Sequence, residues 1–414
     1  MLNEIKNIFI KNFFNLSLNQ ILNVLFTLII TPILFKNLGS DQFGLISLYL
    51  TIVMLLSIII GYGYNLNSPQ RLASFKTKHQ VQTLLVEILS VRIIISIIIL
   101  FFSISITPLL NLSINQFYIF TFSLIILLSE AINPFFYYQG KDDLHGVALS
   151  NFIFKLFYFI LIVSFVKLKS DAFLVNLFFG FSALIVYAVC WIYIFRKENL
   201  TWYWISFKIF IDRIKENIFF TLSSLASYIS VSSSLIILSF FVNNNELGKY
   251  SLAQKIGFLL RMIPVLITQS VLQIASRKNS NDKKSLKKFL NKTYSLGLMF
   301  SLFIGLIIII FSKWIIYYMS GEYIDYSQKI LIILSLIPFF SMLNFKNMIV
   351  ILVKEMKEVL YITTWYCVLF LLIIGSLLSY LFGGVGLSIS LILTEIFNYF
   401  VCQFFIKKNE SKYA

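Results

Sequence analysis

Apolar runs of about 20 residues, the length a transmembrane helix needs, follow one another along this chain from near its start to near its end. They are divided by polar connections too short to fold by themselves. No soluble domain of this size could hide so much apolar side chain: 59% of the 414 residues are hydrophobic, 13% are charged, and the mean hydropathy is +0.87. The sequence therefore predicts an all-α polytopic membrane protein. Runs between polar breaks place helices near 11–35, 43–66, 82–107, 115–139, 145–167, 172–195, 217–242, 248–274, 293–312, 327–353, 358–381 and 385–406. Turn signals such as KNLGSDQFG, KLKSD, NNNELGK and FGGVG set the count at twelve, and no connection is long enough to house a soluble catalytic domain. The opening MLNEIKNIFIKNFFNLSLNQ lacks the basic start, clean apolar core and small-residue cleavage site of a removable signal peptide. Its hydrophobic stretch is expected to stay.

Charge in the connections alternates. Those after even-numbered spans hold Arg71, Lys76, Lys78, Lys141, Arg196, Lys197, Lys208, Arg213 and Lys215, then the run from Arg277 to Lys292, then Lys354 and Lys357. Those after odd-numbered spans hold only Lys36, Lys167, Lys169, Lys249, Lys313 and Lys329. The positive-inside rule makes the first set cytoplasmic, together with both termini, which an even span count requires.

The net charge of +16 follows from this cytoplasmic excess, so the basic segment RKNSNDKKSLKKFLNK does not point to nucleic acid. Cys190, Cys367 and Cys402 lie far apart inside apolar runs, which argues against a disulfide framework or a metal cluster. His79 and His145 are the only histidines and sit in separate turns. No catalytic residue, metal or cofactor is expected.

Two segments share a scheme of polar aromatic start, span, glycine turn and second span: KNFFNLSLNQILNVLFTLIITPILFKNLGSDQFGLISL near the start and ENIFFTLSSLASYISVSSSLIILSFFVNNNELGKYSLAQ from residue 216. Similarity across six spans in one orientation predicts a parallel repeat of two pseudo-symmetric six-helix bundles. The expected parts are bundles at 1–195 and 217–406, an amphipathic cytoplasmic linker at 196–216 and a cytoplasmic tail at 407–414. Polar residues of the two opening helices form stripes, Asn12, Asn15, Asn19, Asn23 and Thr27 in one and Ser223, Ser227, Ser230 and Ser234 in the other. Such stripes serve either as helix-to-helix glue or as the wall of a wet cavity, and their recurrence in both halves favours the cavity.

Seven ionisable residues lie well inside spans: Arg92, Glu130, Lys155, Lys255, Arg261, Lys346 and Glu395. A charge at the bilayer centre costs roughly 2.5–3.5 kcal/mol on insertion scales, so it snorkels outward or serves a purpose. Lys255 is six positions from Lys249 and Lys346 eight from Lys354, within snorkelling reach of an interface. Arg261, Glu395 and Glu130 stand eleven or more positions from the nearest basic residue at a span end, which places them near mid-membrane. Lys155 and Arg92 come next. One reading joins these residues in structural ion pairs such as Arg261 with Glu395. Five cations against two carboxylates, however, leave positive charge unmatched, which suits an anionic ligand such as a pyrophosphate. Pro32, Pro134, Pro264 and Pro338 add kinks that can act as bending points.

The stretch NQILNVLFTLIITPILFKNLGSDQFGLISLYLTIVMLLSIIIGYGYNLNSPQRLA, residues 19–73, resembles the opening two helices of bacterial polysaccharide flippases of the O-antigen and capsule type. INPFFYYQGK and NELGKYSLAQKI resemble the end of their fourth helix and the start of their eighth. The resemblance implies a twelve-helix member of the multidrug, oligosaccharidyl-lipid and polysaccharide exporter superfamily, located in the bacterial inner membrane. Such proteins move an undecaprenyl-pyrophosphate-linked oligosaccharide repeat unit from the cytoplasmic to the periplasmic leaflet by alternating access. By placement, Arg92, Lys155, Arg261 and Lys346 are the candidates for holding its anionic head group. Asn15, Asn19, Asn23, Ser223, Ser227 and Ser230 would line the cavity, and Glu130 or Glu395 would serve coupling to protons or sodium. A polymerase and a chain-length regulator are the partners this implies. Two rivals fit less well. A membrane-embedded O-antigen polymerase would need a sizeable arginine-bearing periplasmic loop, and a drug antiporter would prefer unmatched acids.

Overall fold

The computed structural model describes the backbone of residues 2–75, 77–281, 283–354 and 356–413, and the side chains of 23–272, 288–354 and 356–409 apart from 66, 76 and 144. The chain is helical, with no strand among the described residues. Lipid offers no partner for backbone N–H and C=O groups, so each spanning segment must satisfy them within itself. The protein is an all-α polytopic membrane protein. It divides into two compact units, Met1–Leu225 and Ala226–Ala414.

The first unit contains α1 (Leu2–Gly61), α2 (Tyr64–Ser74), α3 (Lys78–Ile106), α4 (Ile114–Ser123), α5 (Ile125–Ala131), α6 (Phe135–Gly140), α7 (Leu144–Phe165), α8 (Ala172–Glu198) and the first part of α9 (Phe207–Ser232). The second holds the rest of α9, then α10 (Ser234–Ser239), α11 (Asn244–Asn281), α12 (Lys283–Ser320), α13 (Asp325–Leu334), α14 (Ile337–Leu343), α15 (Phe345–Val353) and α16 (Lys357–Tyr413).

Among the described residues, nine helical stretches are long and apolar enough to cross a membrane. Two of them contain a single non-helical residue, Gly39 in α1 (φ 75°, ψ 171°) and Gly383 in α16 (φ 56°, ψ −139°). Each lies in a turn signal of the sequence, and each converts one long helix into two rods because only glycine takes that backbone conformation without strain. The stretch over α9 and α10 is less apolar owing to its serines, and it supplies the remaining rod of the twelve. Within the expected linker, residues 201–206 have no helical structure and 207–216 form the first turns of α9.

Four expected single spans are interrupted, that at 217–242 only at Ser233, between α9 and α10. Helix 43–66 stops at Gly61, where Tyr62 (φ 44°) and Gly63 (φ 70°) both turn left-handed before α2 begins. Helix 115–139 is cut at Leu124 and again at Ile132–Pro134. Pro134 brings no N–H and its ring clashes with the carbonyl a turn earlier. The chain therefore closes a tighter turn, with Asn133 N–H donating to the Glu130 carbonyl at 3.1 Å and Asn133 Oδ1 accepting from Phe135 N–H at 3.1 Å. Helix 327–353 is cut at Ser335–Leu336, just before Pro338, and at Asn344. By contrast, α1 and α11 run on through Pro32 and Pro264.

Polar side chains inside the spans mostly satisfy themselves along their own helix. Ser57 donates to the Val53 carbonyl at 2.9 Å and Thr394 to that of Ser390 at 2.8 Å. A few tie helices together: in the first unit Asn176 Nδ2 donates to the Ile46 carbonyl and to Ser123 Oγ, at 3.1 and 2.8 Å, joining α8 to α1 and α4. Leu38, Val53, Leu85, Leu127 and Ile162 are wholly buried in this unit.

Candidate functional site

In the first unit, the break before Pro134 leaves carbonyl groups that no helical N–H reaches. Arg92 takes one of them, donating from Nη1 to the Asn133 carbonyl at 2.9 Å, and Trp191 Nε1 takes that of Ile132 at 2.7 Å. Arg92 Nη2 meets Glu130 Oε1 at 2.9 Å, and Glu130 Oε2 accepts from Asn133 Nδ2 at 3.1 Å. The Arg92 guanidinium also lies 5.7 Å from the centre of the Phe136 ring. Arg92 is wholly buried, whereas the Glu130 side chain keeps 21% of its surface open. Gly61 flanks the pair: a Cβ there would stand 3.6 Å from Glu130 Oε1 and 3.8 Å from Arg92 Nη2.

Lys155 lies on α7 in the same unit, and its Nζ donates to Asn23 Oδ1 on α1. A candidate cation therefore meets a member of the asparagine stripe. Asn12, Asn15 and Asn19 lie outside the residues whose side chains are described, as do Arg277, Lys278, Lys283, Lys284 and Lys287. On α9, Ser223 and Ser230 are half-buried, Ser227 is exposed, and Ser230 Oγ donates to the Ser227 carbonyl at 2.9 Å.

In the second unit, Arg261 Nη2 meets Glu395 Oε1 at 2.6 Å, joining α11 to α16. Below this pair runs a polar file. Cys402 Sγ donates to Asn398 Oδ1 at 3.2 Å and accepts from Asn344 Nδ2 at 3.5 Å, and Asn347 Nδ2 donates to Asn344 Oδ1 at 2.9 Å. Asn344 is the residue at which the tenth span breaks. Lys346, two positions on, stands over the Tyr294 ring at 4.2 Å, a cation–π contact.

These contacts sort the candidate cations. Arg92 and Arg261 each hold one of the two mid-span carboxylates, while among the described residues Lys155, Lys255 and Lys346 have no carboxylate at ion-pair distance. Among the described residues, three lysines inside spans are thus left without a counter-ion.

A further cluster escaped the sequence reading. Arg213, in the first turns of α9, donates to Glu87 Oε2 from Nε at 2.8 Å and from Nη2 at 2.7 Å, and to Glu216 Oε2 from Nη1 at 2.6 Å. Glu216 Oε1 in turn accepts from Arg71 Nη1 at 2.6 Å, and Asn67 Nδ2 donates to Asn217 Oδ1 at 3.0 Å. The backbone comes close beside this network: a Cβ on Gly63 would stand 2.5 Å from that of Phe220. The available signal was Glu87, an acid five positions ahead of Arg92 in the same apolar helix.

Residues 9–273, well over half of the chain, match the model of the polysaccharide biosynthesis protein family. The chain belongs to that family. Residues 223–381 also match the MatE family. Two curated proteins similar to this family member, both named as proposed O-antigen transporters, come from Shigella dysenteriae and Escherichia coli. Each is 25% identical, the first over 93% of this chain and 97% of its own length, the second over 97% of both. Among solved structures, an inward-facing multidrug-resistance transporter of the MATE family matches with a TM-score of 0.72 over 97% of this chain and 99% of its own, at 13% identity. The lipid II flippase MurJ in an inward closed conformation matches with a TM-score of 0.69 over 96% of this chain and 87% of its own, at 16% identity. These likenesses establish the fold that the family member shares, twelve helices in two bundles within a multi-pass bacterial membrane protein.

Proposed function

We propose that this protein carries an undecaprenyl-pyrophosphate-linked oligosaccharide repeat unit from the cytoplasmic to the periplasmic leaflet by alternating access, driven by a coupled ion. The observation that carries the reading is the charge tally: with Arg92 and Arg261 paired to Glu130 and Glu395, Lys155, Lys255 and Lys346 have no carboxylate at ion-pair distance among the described residues. A drug antiporter of the same superfamily needs the opposite sign for its cationic substrates. The family match and the proposed roles of the curated relatives support the same reading.

In this account Lys155 and Lys346 hold the anionic head group directly, and the asparagine and serine stripes around Asn23 and Ser227 line the path. Arg92 and Arg261 join them when Glu130 and Glu395 are neutralised by protons, because a guanidinium released from its carboxylate seeks another anion in fork geometry. Both termini face the cytoplasm. The bundles are 1–195 and 217–406, joined by the linker 196–216 and followed by the tail 407–414.

Lys155→Ala with Lys346→Ala tests this in cells. The expected outcome is normal membrane abundance, loss of surface polysaccharide and build-up of lipid-linked repeat units on the cytoplasmic leaflet. Unchanged surface polysaccharide in that double variant would remove the lysines from the substrate path.

A further inference from the structure

In the first unit, α7 and α8 border a groove of about 540 Å³. Leu149, Ile153 and Phe157 line one wall and Ile185, Val189 and Tyr193 the other, each set spaced by four so that it forms one row along its helix. Deeper in, the two helices touch: the ring centres of Phe154 and Phe179 are 5.2 Å apart and those of Phe157 and Phe181 6.5 Å. Nearer the start of α7, Tyr138 of α6 also lines the groove, and Gly146 permits this, since a Cβ there would stand 2.5 Å from the Tyr138 ring. From His145 to Phe157 the groove follows α7 for about 18 Å. That is close to one leaflet of a hydrocarbon core about 30 Å thick.

Its polar end carries charge of both signs. Asp143 caps α7, with Oδ1 accepting from Gly146 N–H at 3.0 Å, and it lines the mouth beside the exposed His145. Among the described residues Asp143 meets no cation at ion-pair distance, whereas Glu198 holds Lys141 at 3.1 Å. Lys197 stands 5.5 Å from the centre of the Tyr193 ring and has no carboxylate at ion-pair distance among the described residues. An unpaired acid and an unpaired base therefore flank the mouth of an apolar slot.

We propose that this groove is a binding site for one phospholipid with a primary-amine headgroup, of the phosphatidylethanolamine class. The inference goes beyond the transport reading and does not depend on it. One acyl chain lies between the α7 and α8 rows. Lipid tails are as apolar as leucine, so the slot holds a chain without selecting among lipids. Selection falls to the mouth. Asp143 accepts a charge-assisted hydrogen bond from the ammonium, and Lys197 faces the phosphate. A primary ammonium brings N–H donors, as a lysine does, while a trimethylammonium of the same charge brings none. A purely anionic headgroup would satisfy Lys197 and meet repulsion at Asp143.

The test is native mass spectrometry of the purified full chain, stripped of lipid and then offered equal amounts of phosphatidylethanolamine, phosphatidylcholine and phosphatidylglycerol with identical acyl chains. Wild type should retain the ethanolamine lipid several-fold more than either of the others. Asp143→Asn should abolish that preference, and because asparagine still accepts from Gly146 N–H the start of α7 stays capped. Val189→Trp, at an exposed position in the α8 row, fills the slot and should remove the preferentially bound lipid. Melting temperatures in detergent confirm that both variants are folded. Equal retention of the ethanolamine and choline lipids by wild type would overturn the proposal, as would stronger retention of the glycerol lipid. An undiminished preference in folded Asp143→Asn would remove the acid from the site, and an undiminished preference in folded Val189→Trp would place the lipid elsewhere; either result overturns the proposal.

Discussion

Arg261 and Glu395, 134 positions apart in sequence, meet at 2.6 Å in the interior of the second unit. The Glu395 side chain is 6% exposed and that of Arg261 19%, so both charges are largely withdrawn from water. Breaking a buried pair strands its remaining partner at about 3 kcal/mol or more. Arg261→Ala and Glu395→Gln should each lower membrane abundance, and the two together should restore it. Transport should stay lost in the double variant, because Arg261 has a second partner in the proposed anionic substrate. Quantified membrane protein and surface polysaccharide from the three strains check this, and normal transport by the double variant would reduce Arg261 to a structural role.

Arg92 is the more enclosed of the two paired arginines, with none of its side chain open against 19% for Arg261. Arg92→Leu strands Glu130 and also leaves the Asn133 carbonyl without its donor. Thermal denaturation of the purified protein should show a larger loss for Arg92→Leu than for Glu130→Gln, which keeps a group able to accept from Arg92. Equal losses would mean that the carbonyl bond contributes nothing.

Gly39 and Gly383 hold backbone conformations that an L side chain adopts only with strain. Alanine at either position should destabilise by about 1–3 kcal/mol. Gly383→Ala should suffer more, since its Cβ would also stand 3.2 Å from the Tyr326 hydroxyl, which accepts from Gly384 N–H. Melting temperatures of the two variants against wild type measure the difference.

Much of the fold was legible in the sequence because hydropathy and turn residues act locally. KNLGSDQFG and FGGVG each contain the glycine at which a long helix divides. Breaks inside spans were harder to see: Pro134 and Pro338 sit at breaks while Pro32 and Pro264 do not, and the sequence around a proline does not say which neighbour will take the freed carbonyl. At the site, Arg261 and Glu395 could be matched in advance because both lie at mid-depth with opposite sign. Arg92 with Glu130 could not, since a kinked helix decides that contact. Nor could Arg213 with Glu87, which joins a residue outside the apolar runs to one just within them.

Topology offers an independent check. Reporter fusions at Ala414 and within 277–292 should read as cytoplasmic, and one in the NNNELGK turn as periplasmic. A periplasmic C-terminus would overturn the orientation on which the direction of transport depends.

The most direct measurement is translocation by the purified protein. Vesicles holding a lipid-linked oligosaccharide in one leaflet, with and without this protein, are scored by the access of an added lectin to the sugar on the far side. The expected result is protein-dependent translocation that is lost in Lys155→Ala with Lys346→Ala. Access no faster than in protein-free vesicles, or full activity in the double lysine variant, would contradict it.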